Sequence, residues 1–256
     1  SNFTAGHVRM DSKAPVDGYL AEGSLNNFLV GAHAEGTWKR FSGILSTRIS
    51  PLTLEYAALK GALPKFMGGL DQFKARVGDV YGKFRFDMND MTYMELSGFR
   101  SFDKYTIALG EDSNEQFGWN NLIGIFRIHR NGLQTMTDFV TSYNVYDSFQ
   151  YQDKMFRGVM NHLDLKSDLR EFSMAFNQNH SLGSRRWYGL GYGARFNHIS
   201  IAPGHASDNR NPTRHFFMNF YLQPSVSIPD IFSFKGFART NFFSGTMRQS
   251  AFEYGV

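Results

Sequence analysis

Residues 198 to 200 read His198-Ile199-Ser200. A histidine two residues before a serine could do chemistry if both sit on one β-strand, because side chains two apart share a face. The imidazole could then take the hydroxyl proton and make Ser200 a nucleophile for ester hydrolysis. Asn219, His215 or Asp208 could orient the ring, but no spacing fixes a third member. The plainer reading of His198 is a histidine beside a loop, and no residue is assigned as catalytic. His205, Asp208 and His215 share one loop region and could meet a metal. The eight histidines nevertheless show no ligand spacing such as His-Glu-x-x-His, so no metal and no cofactor is assigned. Gly189, Gly191 and Gly193 alternate within a strand instead of opening a helix, so they are not a phosphate loop. A glycine row of this kind leaves room for a bulky neighbour.

The elements that must carry these residues are strands. From Asn26, the residues Phe28, Val30, Ala32, Ala34, Gly36 and Trp38 hold one parity, and Asn27, His33, Glu35, Thr37 and Lys39 hold the other. After the basic turn Lys39-Arg40, Phe41, Gly43, Leu45, Thr47 and Ile49 oppose Ser42, Ser46, Arg48 and Ser50. Period two on both sides of a tight turn predicts a hairpin. The alternation extends through Leu52, Leu54, Tyr56 and Ala58, and Leu59 to Gln72 then reads as a long excursion with a helical turn. Strands resume at Val80, turn at Asn89-Asp90 and return through Met94 to Gly98. Asp112 to Gln116 is a polar loop, and Trp119–Arg130 pairs with Leu133–Tyr146 across Asn131-Gly132, a strong hairpin signal. Phe172 to Asn177, a loop from His180 to Arg185, Tyr188 to Phe196, a loop from Pro203 to Arg214, and strands Phe216–Gln223 and Ile231–Phe243 complete a set of ten or eleven.

Mean hydropathy is −0.36 and hydrophobic residues make up 42%, yet aromatics reach 16% and there are 25 glycines. The sequence contains no uncharged apolar run long enough for a spanning helix, about 18 residues. A membrane barrel hides its apolarity by alternation, and a soluble β-sandwich is the rival. Cysteine is absent, which removes disulfides, thiolate metal sites and cysteine nucleophiles. The net charge of +4 is dispersed along the chain, so no nucleic-acid partner is expected. Residues 1–10 lack the basic and apolar regions of a signal peptide. Arg48, Lys83, Arg85, Glu95 and Glu171 fall on the polar parity, whereas Arg170 shares parity with Phe172. On a lipid face each Arg or Lys would cost about 2–4 kcal/mol at mid-bilayer. Trp38, Trp119, Trp187, Tyr188, Phe216 and Phe217 lie near strand ends, as interfacial girdles would.

The order of these pieces resembles TonB-dependent outer-membrane receptors of the Bacteroidetes type. His7-Val8-Arg9-Met10 looks like the last strand of a plug, and Glu22-Gly23-Ser24 followed by Ala34 to Trp38 looks like the first barrel strand. Phe86 to Asp90 with Leu96-Ser97-Gly98-Phe99, Phe117 to Asn121 with Phe126 to His129, and Asn179-His180-Ser181 fit the same order. The resemblance implies residues 1–17 as the end of a plug and 18–256 as barrel, within a longer receptor of roughly 22 strands. His198-x-Ser200 also resembles the catalytic pair of outer-membrane lipid A deacylases and phospholipases, but Ile201-Ala202 stands where those families carry Asn-Gly or Asn-Ala.

The expectation is an all-β, antiparallel transmembrane barrel in the bacterial outer membrane, admitting a nutrient with energy from TonB. Its partners would be membrane lipid or lipopolysaccharide, TonB, and a surface lipoprotein or other envelope subunit. The rivals are a small passive porin, a lipid hydrolase using Ser200 and His198, and a structural barrel subunit.

Overall fold

The computed structural model describes residues 15–26, 29–62, 72–108, 113–156, 159–182, 188–205, 213–228, 232–244 and 249–255. They form one antiparallel sheet with a single helix. In chain order the strands are β1 (Tyr19–Leu25), β2 (Val30–Trp38), β3 (Phe41–Ile49), β4 (Gln72–Asn89), β5 (Thr92–Ala108), β6 (Ser113–Asn131) and β7 (Thr135–Phe156). They continue with β8 (Val159–Leu182), β9 (Tyr188–His205), β10 (Thr213–Ile228), β11 (Phe232–Lys235), β12 (Phe237–Ser244) and β13 (Gln249–Gly255). Each strand pairs with its sequence neighbour, except that β11 and β12 both pair with β10. Those two are one strand in a single register, since Ser225 faces Lys235 and Leu222 faces Ala238. The ladder is interrupted where Pro224, which has no N–H, faces Gly236 and accepts from its amide at 3.0 Å.

Pairing carries one face across the whole sheet. Leu45 lies opposite Ala34 and Gly82, and the row continues through Gly98, Gly124, Tyr143, Phe172, His198 and Phe216. The flanking row holds Phe84, Leu96, Phe126, Met174, Phe196 and Met218. Phe84 is 62% exposed and Leu45 54%. Among the described residues the buried hydrophobics are only Ile44, Ala75 and Ala175. A soluble sandwich would bury this face against a second sheet, and no second layer is present among the described residues. The apolar face is the lipid face, and the opposite parity faces the lumen.

Connections at residues 39–40, 90–91 and 132–134 are short at one end, and the other end carries the 50–71 and 206–212 connections and the long β7–β8 hairpin, joined at 157–158. In membrane barrels the end with the short turns is the periplasmic one. Lys39 takes φ 55° in its turn, and Arg40 stitches the turn to β4 by donating to the Met88 carbonyl at 3.1 Å.

Several boundaries differ from the sequence expectation. Tyr19–Leu25 is a strand of its own, hairpinned to β2. Leu52–Ala62 is helix α1 rather than alternating strand; Pro51 starts it, and Ala57, Ala58 and Leu59 favour helix over period two. Ser113–Gln116 belongs to β6, and His180 to β8. Asn131 still pairs with Met136, so the turn is Gly132-Leu133-Gln134, closed by Gly132 N–H donating to Thr135 O at 2.8 Å. Residues 1–14, including the plug-like piece at 7–10, lie outside the described residues.

Candidate functional site

The lumen face is built from charged and aromatic side chains that cross-strand pairing sets side by side. Arg48 on β3 donates to Asp79 on β4, with Nη2 at 2.8 Å. Lys83 meets Glu95 on β5 at 3.1 Å, and both are nearly buried. Arg85 pairs with Asp87 at 2.7 Å and lies 3.9 Å from the centre of the Tyr93 ring. Tyr93 stacks on His129 at 5.0 Å, and His129 and Arg127 share Asp138 at 3.3 and 3.4 Å. A chain of alternating charge and ring therefore runs across β4, β5, β6 and β7. Opposite charges on neighbouring strands are the arrangement that lets ions line a wall cheaply.

Toward the exterior end the wall becomes aromatic. Tyr105 stacks on Phe117 at 5.0 Å and lies 6.4 Å from Trp119, which stands opposite Asp103 in the register. Phe117 and Trp119 border an open hollow of about 700 Å³ with Ser148, Gln150 and Ser167. Rings beside hydroxyls and amides can stack on a solute and hydrogen-bond its edge. Helix α1 packs against the same end of β4. Tyr56 packs on Phe73 at 5.4 Å, and the Thr53 hydroxyl donates to Ala75 O at 2.7 Å and accepts from Ala75 N at 2.8 Å, replacing a ladder partner where β3 has ended.

His198 and Ser200 share the outward, lipid-side face with Tyr188, Leu190, Tyr192 and Phe196, as their parity in the sequence implies; His198 packs on Phe216 at 4.5 Å and Ser200 lies between Arg170 and Arg214. His215 and Asn219 have the opposite parity, so they face the lumen and lie across the sheet from His198. His215 stacks on Phe243 at 5.6 Å. Asp208 and the side chain of His205 lie outside the described residues. Of the girdle aromatics, Trp38, Tyr188 and Phe216 are outward; Trp119 and Phe217 face the lumen, because each falls on the inward parity of its strand. Trp187 is outside the described residues. The glycine row has the expected role: Tyr221 lies against Gly193, where an added Cβ would come within 2.6 Å of its ring, and its hydroxyl donates to Asn177 at 2.8 Å. The charge assignment also holds, with Arg170 the outward exception, neutralised by Asp168 at 2.8 Å.

One uncovered apolar face, one ion-laced face and long antiparallel strands define the wall of a β-barrel. No family model matches the chain, and no curated protein matches it. Among solved structures it is similar to the siderophore receptor PirA from Acinetobacter baumannii, with a TM-score of 0.59 at 10% identity, covering 93% of this chain. The match spans 41% of that receptor's length. The fold is thus that of an outer-membrane barrel.

Proposed function

We propose that this chain forms part of the wall of an outer-membrane uptake receptor that binds a scarce nutrient from the exterior and admits it with energy transmitted by TonB. The observation that carries the reading is the lumen face. It is lined by paired charges across β3 to β7 and ends outside in the Tyr105, Phe117 and Trp119 shelf. The likeness to a siderophore receptor supports it. A surface lipoprotein seated on the exterior strands fits the same reading.

In the bilayer an unpaired strand edge is costly. β1 and β13 are the two ends of the described sheet, and further strands would close the wall. The testing experiment is uptake of radiolabelled ferric siderophores and of labelled oligosaccharides by cells with and without the intact protein. Uptake should require the protein and stop when the proton gradient is collapsed. Flux that persists without the gradient would sink the receptor in favour of a passive porin.

A further inference from the structure

The outward surface of β4, β5 and β6 changes character abruptly toward the exterior. On β4 the outward residues Met88, Phe86, Phe84 and Val80 are followed, beyond Gly78, by Arg76 and Lys74. On β5, Met94 and Leu96 are followed by Arg100, Phe102 and Lys104, and on β6 Ile128, Phe126 and Leu122 are followed by Asn120 and Gln116. From Met88 to Val80 is about 26 Å along the strand, or about 20 Å once tilted, close to the apolar band of a bilayer. Arg100 lies opposite Val80, at the upper limit of that band. Arg76 and Lys104 sit about 10 Å higher, at headgroup depth.

Arg76 is paired directly with Lys104. Like charges facing each other across two strands destabilise a sheet. Neither has a carboxylate partner among the described residues, and both are exposed with Lys74 and Arg100. Among the described residues Arg100 donates to the Asn120 side-chain oxygen at 3.4 Å, and the Lys104 ammonium stands 5.6 Å from the Phe149 ring. The nearest acids by register, Asp79 and Asp103, belong to the lumen face; the outward acids Asp147, Asp153, Asp164 and Asp168 are on β7 and β8, where His162, Lys166 and Arg170 meet three of them. Helix α1 packs on the inward side, through Phe73, and leaves the patch uncovered. Just below it, outward positions Gly82, Gly98 and Gly124 lie side by side, and at Gly124 nothing comes within 4 Å of an added Cβ.

We infer that Arg76 and Lys104, with Lys74 and Arg100 around them, bind the phosphate of a phosphorylated glycolipid of the outer leaflet, its acyl chains lying on the apolar band beneath. Guanidinium and ammonium groups at one height suit a phosphate oxygen set. Continuity with the lipid face selects a membrane headgroup as its source over a free anion.

The test uses the intact receptor purified in detergent, with lipid A as probe, and counts bound lipid by native mass spectrometry. The R76Q/K104Q double variant should retain lipid A at least tenfold more weakly than wild type. R130Q, an exposed cation at the periplasmic end of the same face, should retain it fully. Lipid A stripped of phosphate should bind wild type as weakly as the double variant binds lipid A. Heat-modifiable electrophoretic mobility checks folding; should the double variant fail that check, K104Q and R76Q singly are each expected to lose severalfold. Equal retention by the variants, equal binding of dephosphorylated lipid, or displacement by inorganic phosphate at millimolar concentration would each overturn the assignment.

Discussion

Two inward residues carry much of the specification of the wall. Lys83 and Glu95 form an ion pair on the lumen face, each side chain under 15% exposed. Removing one partner leaves a buried charge without its counter-ion, at a cost of about 3–5 kcal/mol, whereas replacing both by apolar residues is near neutral. Lys83→Ala should therefore lower the urea midpoint of the folded barrel markedly, and Lys83→Met with Glu95→Met should restore most of it. At Gly193 the flanking backbone and the Tyr221 ring occupy the space a Cβ needs. Gly193→Ala should cost about 1–3 kcal/mol by overpacking, and Tyr221→Ala in the same chain should relieve part of that, as a double-mutant cycle would show. Glu35 behaves differently from the wet lumen residue that its parity suggests. Its side chain is fully buried beside His33 at 3.5 Å, which only the neighbouring strands impose.

The strands make separate statements at the two ends of the sheet. Leu45 lies in the apolar row between Ala34 and Gly82. Leu45→Lys should cost about 2–4 kcal/mol near mid-bilayer, read as a loss of heat-modifiable folded protein in lipid vesicles; unchanged folding would sink the lipid-face assignment. The β7–β8 hairpin runs well beyond the membrane band, and there Asp153 accepts hydrogen bonds from Tyr151 and from His162, the latter at 2.7 Å. Those bonds hold its carboxyl below the usual carboxylate range, Tyr151 contributing most. A depressed carboxylate stabilises the folded hairpin above its unfolded pKa of about 3.9 and loses that contribution as pH falls through the folded value. Amide exchange at residues 151–155 should accelerate below about pH 4 in wild type, and Asp153→Asn should abolish that acid dependence. Helix α1 was not legible from period two, because Leu52, Leu54, Tyr56 and Ala58 satisfy a strand pattern over a stretch too short to show 3.6-residue spacing. The outer halves of β4 and β7 were equally hidden. Lys74 and Arg76 on one face and Asp79 on the other leave no apolar alternation to read once the strand has left the lipid.

For the whole molecule, the reading of a receptor wall requires strands beyond β1 and β13. Intact mass measured from purified outer membranes should then be two- to threefold above 29.2 kDa. A mass near 29.2 kDa with passive flux would favour a small porin. The sequence by itself determined the class of structure. Alternating parity, many aromatics and glycines, and Arg48, Lys83, Arg85, Glu95 and Glu171 all on the polar parity are satisfied by a sheet with one apolar and one polar face. It also determined where Arg48, Lys83, Arg85 and Glu95 point, since parity is a local property. Only the tertiary structure decided which residues meet. Whether His198 has His215 or Asn219 for company depends on the face each takes across a neighbouring strand, and a single residue of register reverses that. The same pairing assembles Arg85, Tyr93, His129 and Asp138 from four strands, and sets Arg76 against Lys104, because cross-strand register is chosen by the whole ladder and is written in no one strand.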